Sequence, residues 1–175
     1  MTSLETERLV LRQFCDDDLD AMAAIWADPE VMRHIGEGQA RDRAASAALL
    51  GRFQRHWEEH GFGLWAVVPR GADQPIGWAG LSVPTFLPAV LPAVEVGWLL
   101  ARSEWGRGYA TEAARAAAAY GFGELGLDRL ISLVYVENTA SAAVAERLGM
   151  TRCEEVVHPV TGRTVQVFEK LAQPS

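Results

Sequence analysis

The hydrophobic and polar positions of the chain follow two periods, and together they predict a mixed α/β fold. Short runs with alternating or β-branched apolar residues indicate strands, and apolar residues three and four positions apart indicate helices. The predicted strands cover residues 8–14, 64–68, 76–83, 94–100, 130–136, 152–157 and 164–171, and the predicted helices cover 19–26, 48–57, 111–122 and 140–148. This order predicts one sheet with helices on its faces.

The chain has no linker that would divide it, so we expect a single domain over residues 1–175. The segment 84–94 contains two tandem Leu-Pro-Ala-Val tetrapeptides, too short for a repeat architecture and too rich in proline for a helix. It is longer and more apolar than a tight turn requires. We therefore predict that it forms a lid or a contact between the subunits of a homodimer.

Charge and composition limit the kinds of molecule that we expect the protein to bind. With 16 basic and 23 acidic residues the net charge is −7, which disfavours nucleic acid and anionic membranes as partners and is compatible with a cationic amine. No apolar run reaches the roughly 18 residues of a membrane span, and the N-terminus has no export signal. Cys15 and Cys153 lack the spacing of metal ligands, and His56 and His60 lack a third ligand. These features predict a cytoplasmic protein without a metal.

A glycine-rich turn between a predicted strand and an alanine-rich helix is the strongest local signal. Residues 104–112 have the sequence Glu-Trp-Gly-Arg-Gly-Tyr-Ala-Thr-Glu. The first amides of a helix have no partner within the helix, and the helix dipole attracts anions to that end. Gly106 and Gly108 allow the backbone to approach a phosphate closely and to adopt positive φ where needed, and Ala110 keeps the first turn narrow. The alternative is a glycine-rich connection without a ligand; the turn is neither a dinucleotide fingerprint nor a P-loop.

This turn and three other segments resemble the GNAT acetyltransferase superfamily, in the branch of ribosomal-protein alanine and serine N-terminal acetyltransferases. That branch typically has Trp-Gly-x-Gly-Tyr-Ala-x-Glu-Ala, which residues 105–113 match. Residues 4–12, 95–100 and 138–150 match further segments in the expected order. The resemblance implies a GNAT-like α/β (α+β) domain. Its mixed, mostly antiparallel sheet would have about seven strands, about four flanking helices and a splayed central pair of strands.

The resemblance also implies that the chain binds acetyl-CoA as a co-substrate, with the pyrophosphate on the turn and Arg107 acting partly through its backbone amide. The strand 95–100 would splay from the strand 130–136, so that the backbone of Trp98 and Leu100 bonds the pantetheine amides. An ordinary internal strand is the alternative. The predicted cofactor-binding residues are Trp98, Leu100, Trp105, Gly106, Arg107, Gly108, Tyr109, Ala110, Thr111, Asn138 and Ser141.

Two of these residues precede or begin the helix after the strand 130–136. The position of Asn138 favours a helix cap, whereas the resemblance implies contact with the pantetheine arm. Ser141 is a candidate catalytic residue, because a hydroxyl at a helix N-terminus could hydrogen-bond the departing thiolate. A hydroxyl satisfied by the backbone is the alternative. The tyrosine that many GNAT enzymes use as the acid is replaced here by Ala145.

Glu95 is the second candidate catalytic residue, as the base that frees the amine. It begins the central strand, and partial burial would raise its pKa toward the range useful for an amine. A solvent-facing carboxylate is the alternative. The resemblance implies that acceptor specificity lies in the two early helices, the loops between strands and the last hairpin. There Trp26, Trp57 and Phe62 would line a pocket or belong to the core.

The function implied by the resemblance is direct transfer of an acetyl group from the thioester to a primary amine. The expected acceptor is a protein or peptide N-terminus. A small-molecule amine, such as a polyamine, an amino acid or an antibiotic, is the first alternative. A catalytically silent CoA-binding sensor is the second.

Overall fold

Eight strands form one mixed sheet in the computed structural model, which describes residues 2–173. The strands are β1 Leu4–Glu5, β2 Leu9–Arg12, β3 Leu64–Pro69, β4 Gly77–Ser82, β5 Glu95–Leu100, β6 Arg129–Tyr135, β7 Thr151–Val157 and β8 Thr164–Leu171. The helices are α1 Leu19–Trp26, α2 Pro29–Met32, α3 Arg43–His60, α4 Tyr109–Gly123 and α5 Thr139–Arg147. Three short 3-10 turns cover Asp16–Asp18, Pro88–Val90 and Arg102–Glu104.

The central pair of strands diverges, as the resemblance implied. The order in the sheet is β1-β2-β3-β4-β5-β6-β8-β7, and every neighbouring pair is antiparallel except β5 and β6. These two parallel strands are joined through α4, as a parallel connection requires. They pair only at Glu95 and Ile131, at the start of β5. Beyond that point the edge of β5 faces a gap.

Residues of β5 alternate between the two faces of the sheet, and each face has its own helices. Val96 and Leu100 belong to the core cluster that α4 covers with its buried alanines. Leu99, on the opposite face, packs in the cluster formed with α1 and α3. Because side chains alternate along a strand, Glu95 and Gly97 lie on the face of Leu99. The gap between β5 and β6 is therefore bordered by different helices on its two sides.

Two short elements were not predicted, and they account for the eighth strand and the fifth helix. β1 has two residues, paired to β2 through Leu4 and Leu11. The helix α2 lies between the predicted helices 19–26 and 48–57, where the sequence analysis predicted none. Pro29 is its first residue, and the Asp28 side chain caps it by accepting a hydrogen bond from the Glu30 amide at 2.9 Å. Proline suits the first helical position because its missing N–H would have no partner there.

The proline-rich segment 84–94 is attached to the sheet. Leu87 and Val90 are buried against Ile131 and Val167. Phe86 is half exposed and stacks on the ring of His158, with 5.6 Å between the centroids. Its predicted role as a lid or a dimer contact remains a prediction.

The early aromatic residues divide between the core and its margin. Trp26 and Trp57 are buried in the two large clusters, so they belong to the core rather than to a pocket. Phe62 is partly buried and packs against the edge of the cluster that contains Trp57. Among residues 2–173 no helix has the length and apolarity needed to cross a bilayer. Nor does this part of the chain bring together three His, Cys, Asp or Glu side chains that could hold a metal ion.

Candidate active site

A cavity of about 1200 Å³ lies where β5 and β6 diverge. Its walls are the end of β5, the turn before α4 with the first residues of α4, the start of α5, and α2 with the residues that follow it. All the predicted cofactor-binding residues line it except Arg107. Glu95 does not line it either. The cavity therefore joins segments that lie far apart in the sequence.

The glycine-rich turn has the backbone that the sequence analysis expected. Gly106 has φ of 74° and Gly108 has φ of 80°, in the left-handed region where a Cβ is unfavourable. Gly108 is the residue before α4, and a Cβ built on Gly106 would meet no atom within 4 Å. The space in front of the turn is thus open. The amides that begin α4 border the cavity, and such amides bind phosphate oxygens.

Trp105 connects this turn to the end of β5. Its indole Nε1 donates a hydrogen bond to the carbonyl oxygen of Leu100 at 2.9 Å, while the side chain remains half exposed. The carbonyl of Leu100 therefore already accepts one hydrogen bond from within the protein. Its amide is the group of Leu100 that a ligand in the gap could use.

The edge of β5 offers backbone groups toward β6. The Val94 carbonyl accepts a hydrogen bond from the Ile131 amide at 3.0 Å, so the backbone of Val94 points to β6. Because backbone direction alternates along a strand, Trp98 and Leu100 point the same way. At their level β6 has already diverged. This geometry suits the pantetheine contacts predicted for Trp98.

A network around Glu112 fixes the first turn of α4, and the sequence analysis did not anticipate it. Glu112 accepts hydrogen bonds from the Arg8 amide at 2.9 Å, from Arg8 Nε at 2.7 Å and from the Thr6 hydroxyl at 2.6 Å. Partial burial raises the pKa of Glu112, but these hydrogen bonds outweigh it, and the net pKa is lowered. Arg8 Nη1 also donates to the Arg107 carbonyl at 3.0 Å.

The side chain of Arg107 lies outside the cavity. Its Nη1 pairs with Glu104 at 2.6 Å, and its guanidinium stands 4.9 Å from the centre of the Tyr109 ring. Any contact of Arg107 with a phosphate would therefore use its backbone amide, which is one part of the predicted contact, and the side chain is not placed for the other part.

Asn138 caps α5, as its position in the sequence favoured. Its Oδ1 accepts a hydrogen bond from the Ser141 amide at 3.1 Å. The side-chain oxygen is committed to the helix, which leaves the NH2 group for the ligand contact that the resemblance implied. Ser141 is the third residue of α5, is partly exposed, and lines the cavity beside the gap. Ala145, one turn further along, is buried in the core.

Glu95 is partly buried, and its pKa is raised to about 7. Burial raises it, and hydrogen bonding to the Leu133 backbone and to the Ser82 side chain offsets part of the effect. The carboxyl group runs alongside Gly97, because a Cβ built on that glycine would lie 3.9 Å from Glu95 Oε1. Glu95 thus stands on the face of β5 opposite to α4, two residues from Gly97 and four from the cavity-lining Leu99.

The far wall of the cavity was not predicted. It is formed by α2 and the residues after it, including Val31, His34 and Ile35. Tyr135, at the end of β6, donates a hydrogen bond from its hydroxyl to the Gly36 carbonyl at 2.8 Å. These residues lie about a hundred positions apart, so no local pattern pointed to the contact.

A sheet that opens between two parallel strands, with a glycine-rich turn and a helix N-terminus at the opening, is an arrangement suited to a CoA-dependent acyltransferase. Residues 8–151 match the family model described as the acetyltransferase (GNAT) domain. The chain belongs to this family, whose members are acetyl-CoA-dependent N-acetyltransferases.

Individual relatives extend the match over most of the chain. The chain is 33% identical to the protein YkkB of Bacillus subtilis over 152 residues, which are 85% of each chain. The crystal structure of an acetyltransferase from Agrobacterium tumefaciens is 32% identical, with a TM-score of 0.81, covering 97% of this chain and 94% of the other. A ribosomal L7/L12 alpha-N-protein acetyltransferase in complex with coenzyme A shares the fold at 14% identity, with a TM-score of 0.79 and 98% of each chain covered.

Proposed function

We propose that the protein transfers the acetyl group of acetyl-CoA directly to the amino group at the N-terminus of a protein or peptide. The observation that carries this proposal is the cavity at the gap between β5 and β6. Ser141 lines it, and Glu95, with a pKa of about 7, lies on the face of β5 shared with Leu99. A proton acceptor and a hydroxyl are thus available near one opening in the sheet.

The open turn at Gly106 and Gly108 fits a diphosphate. The binding would use the amides of residues 106–111, with Trp105 keeping the turn against β5. The backbone of Trp98 and the NH2 group of Asn138 would orient the pantetheine arm. Bound in this way, acetyl-CoA supplies the thioester carbonyl that the amine attacks.

Glu95 would accept the proton of the ammonium group, directly or through water. A protonated amine has no free lone pair, so its proton must leave before attack. An α-amino group has a pKa of about 8, and a carboxylate with a pKa near 7 is well matched to accept that proton. Because the carboxyl must be ionised to act, its contribution is present above pH 7 and is lost below.

Ser141 would hydrogen-bond the sulfur of the departing thiolate. Its place in the first turn of α5 adds the positive end of the helix dipole. A serine hydroxyl is a weak acid, so the proton for the thiolate would come through water. Asn138 caps the same turn and so holds Ser141 in position.

The acceptor class rests on the resemblance of residues 105–113 to the ribosomal-protein branch. An acetyl-CoA assay for released thiol tests the proposal, with peptides bearing free N-termini, their N-acetylated forms, spermidine and free amino acids. We expect thiol release with the free peptides and none with the blocked ones. Release with spermidine or free amino acids alone would contradict the peptide acceptor. Tight CoA binding without release for any amine would instead indicate a sensor.

A further inference from the structure

His34 occupies the wall of the cavity that faces away from the glycine-rich turn. It follows α2 and lines the cavity together with Val31 and Ile35. Tyr135 lies four residues beyond Ile131, the partner of Glu95, so its side chain is on the same face of the sheet as Glu95. Tyr135 holds the segment of His34 through the Gly36 carbonyl. His34 therefore stands across the gap on the side of the sheet where Glu95 lies.

The contact with Arg163 fixes the hydrogen-bonding role of His34. Arg163 Nη2 lies 2.9 Å from His34 Nδ1. A guanidinium group can only donate, so Nδ1 must be the acceptor. The imidazole is then neutral and carries its proton on Nε2. Because His34 lines the cavity, the one polar group that its ring has left for a ligand there is the Nε2–H donor, and the ring cannot serve as a base while Nδ1 accepts from Arg163.

Arg163 is itself held firmly, which makes this arrangement rigid. Its guanidinium stacks 3.7 Å from the centre of the Tyr135 ring. Its Nη1 donates to the Arg33 carbonyl at 3.1 Å, and its Nη2 lies 3.5 Å from Glu137. Arg163 comes from the turn between β7 and β8, so three separate parts of the chain meet at His34.

The charges around His34 favour its neutral form. Burial of the ring lowers its pKa, and the positive charges of Arg163 and Arg33 lower it further. The carboxylates of Glu137 and Glu30 act in the opposite direction and only partly compensate. At neutral pH the ring is therefore a neutral hydrogen-bond donor.

We infer that His34 determines acceptor specificity by donating a hydrogen bond from Nε2 to a carbonyl oxygen next to the reacting amine. This inference rests on the proposed function. An N-terminal residue carries such an oxygen on its first peptide group, two bonds from the carbon that bears the amine. Alkyl amines and polyamines have none. Arg163 is the positioning residue that sets the tautomer and the ring orientation.

Matched acceptors test this role. Alaninamide has the carbonyl, and 3-methylbutan-2-amine has the same shape without it. For each we compare kcat/KM, corrected for the fraction of free amine. The wild type should prefer alaninamide, and His34→Phe should lower kcat/KM for alaninamide about tenfold while leaving that for the alkyl amine unchanged. His60→Phe is the control, because His60 is exposed and does not line the cavity.

A second pair of variants separates positioning from general stability. Arg163→Met removes the donor to Nδ1 and should reduce the preference for alaninamide. Arg163→Lys keeps a donor and should restore part of that preference. The dissociation constant for CoA, measured by calorimetry, should stay unchanged in both. Equal losses of kcat/KM for the two acceptors would show that Arg163 and His34 only support the fold, and would overturn the inference.

Failure of this inference and failure of the proposed function give different results. If the wild type releases thiol with both acceptors and His34→Phe leaves their ratio unchanged, only the specificity role is wrong. A wild-type preference for the alkyl amine or for spermidine also overturns it. If the wild type binds CoA but releases no thiol with any amine, both the proposed function and this inference are wrong.

Discussion

The indole of Trp105 donates a hydrogen bond to the carbonyl oxygen of Leu100, 2.9 Å away. This bond joins the glycine-rich turn to the strand along which the pantetheine arm is proposed to lie. It gives a physical reason for tryptophan at this position, because neither phenylalanine nor tyrosine has a donor at that point of its ring. The turn and the strand are therefore held as one unit.

Removing that donor should loosen the turn. Trp105→Phe keeps an aromatic ring but loses the bond to Leu100, whose net value is about 1 kcal/mol. We expect the dissociation constant for CoA to rise about fivefold, with kcat changed less. Calorimetric titration measures the affinity. An unchanged affinity would mean that the turn keeps its place without Trp105.

A Cβ in the turn should block the phosphate rather than the fold. Gly106 and Gly71 have similar positive φ values, 74° and 82°, and a Cβ on either meets no atom of the protein within 4 Å. Both Gly106→Ala and Gly71→Ala should lose about 1 kcal/mol of stability from backbone strain. Only Gly106→Ala should weaken CoA binding, by tenfold or more. Equal affinities in the two variants would remove the turn from the binding site.

The raised pKa of Glu95 predicts the pH dependence of turnover. Because the base must be ionised, kcat/KM for the acceptor should fall as the pH drops through about 7. Glu95→Gln should lower kcat about 10² to 10⁴-fold and should flatten this limb of the profile. The test is to measure kcat/KM of the wild type and of Glu95→Gln from pH 5.5 to 9. If kcat/KM of Glu95→Gln still falls below about pH 7, another titrating group is responsible for that fall.

The same shift predicts a change in stability that does not depend on activity. A carboxyl whose pKa is raised in the folded state disfavours folding when it is ionised, and this penalty develops between its ordinary pKa near 4.5 and about 7. Glu95→Gln cannot ionise. It should therefore be more stable than the wild type at pH 8, and the difference should shrink toward pH 5. Thermal unfolding at both pH values tests the sign.

Ser141 should affect turnover more than binding. Ser141→Ala removes the hydroxyl but keeps the backbone amide that Asn138 caps, so α5 should remain intact. We expect kcat to fall about tenfold, with the affinity for CoA nearly unchanged. Thr139→Ala is the matched control, since Thr139 begins the same helix and also lines the cavity. Similar kcat values for the two variants would argue against a specific role for Ser141.

The sequence by itself determined the parts of this protein that obey local rules. The periods of the apolar residues identified the longer strands and helices, and the glycines at 106 and 108 marked the positive φ values of the turn. The cap at Asn138 followed from its place before a helix. Local propensity was insufficient for β1 and α2, because a two-residue strand has no period and Pro29 suits both a helix break and a helix start.

Only the tertiary structure decided which distant side chains meet. Arg8 reaches Glu112 across 104 positions, and Arg163 reaches His34 across 129. Such contacts depend on the order of strands in the sheet, which no run of neighbouring residues encodes. The pKa of Glu95 has the same origin, because its value is set by burial and by Leu133 on the next strand. A pKa that depends on the surroundings of a side chain can be assigned only when the packing of the whole chain is known.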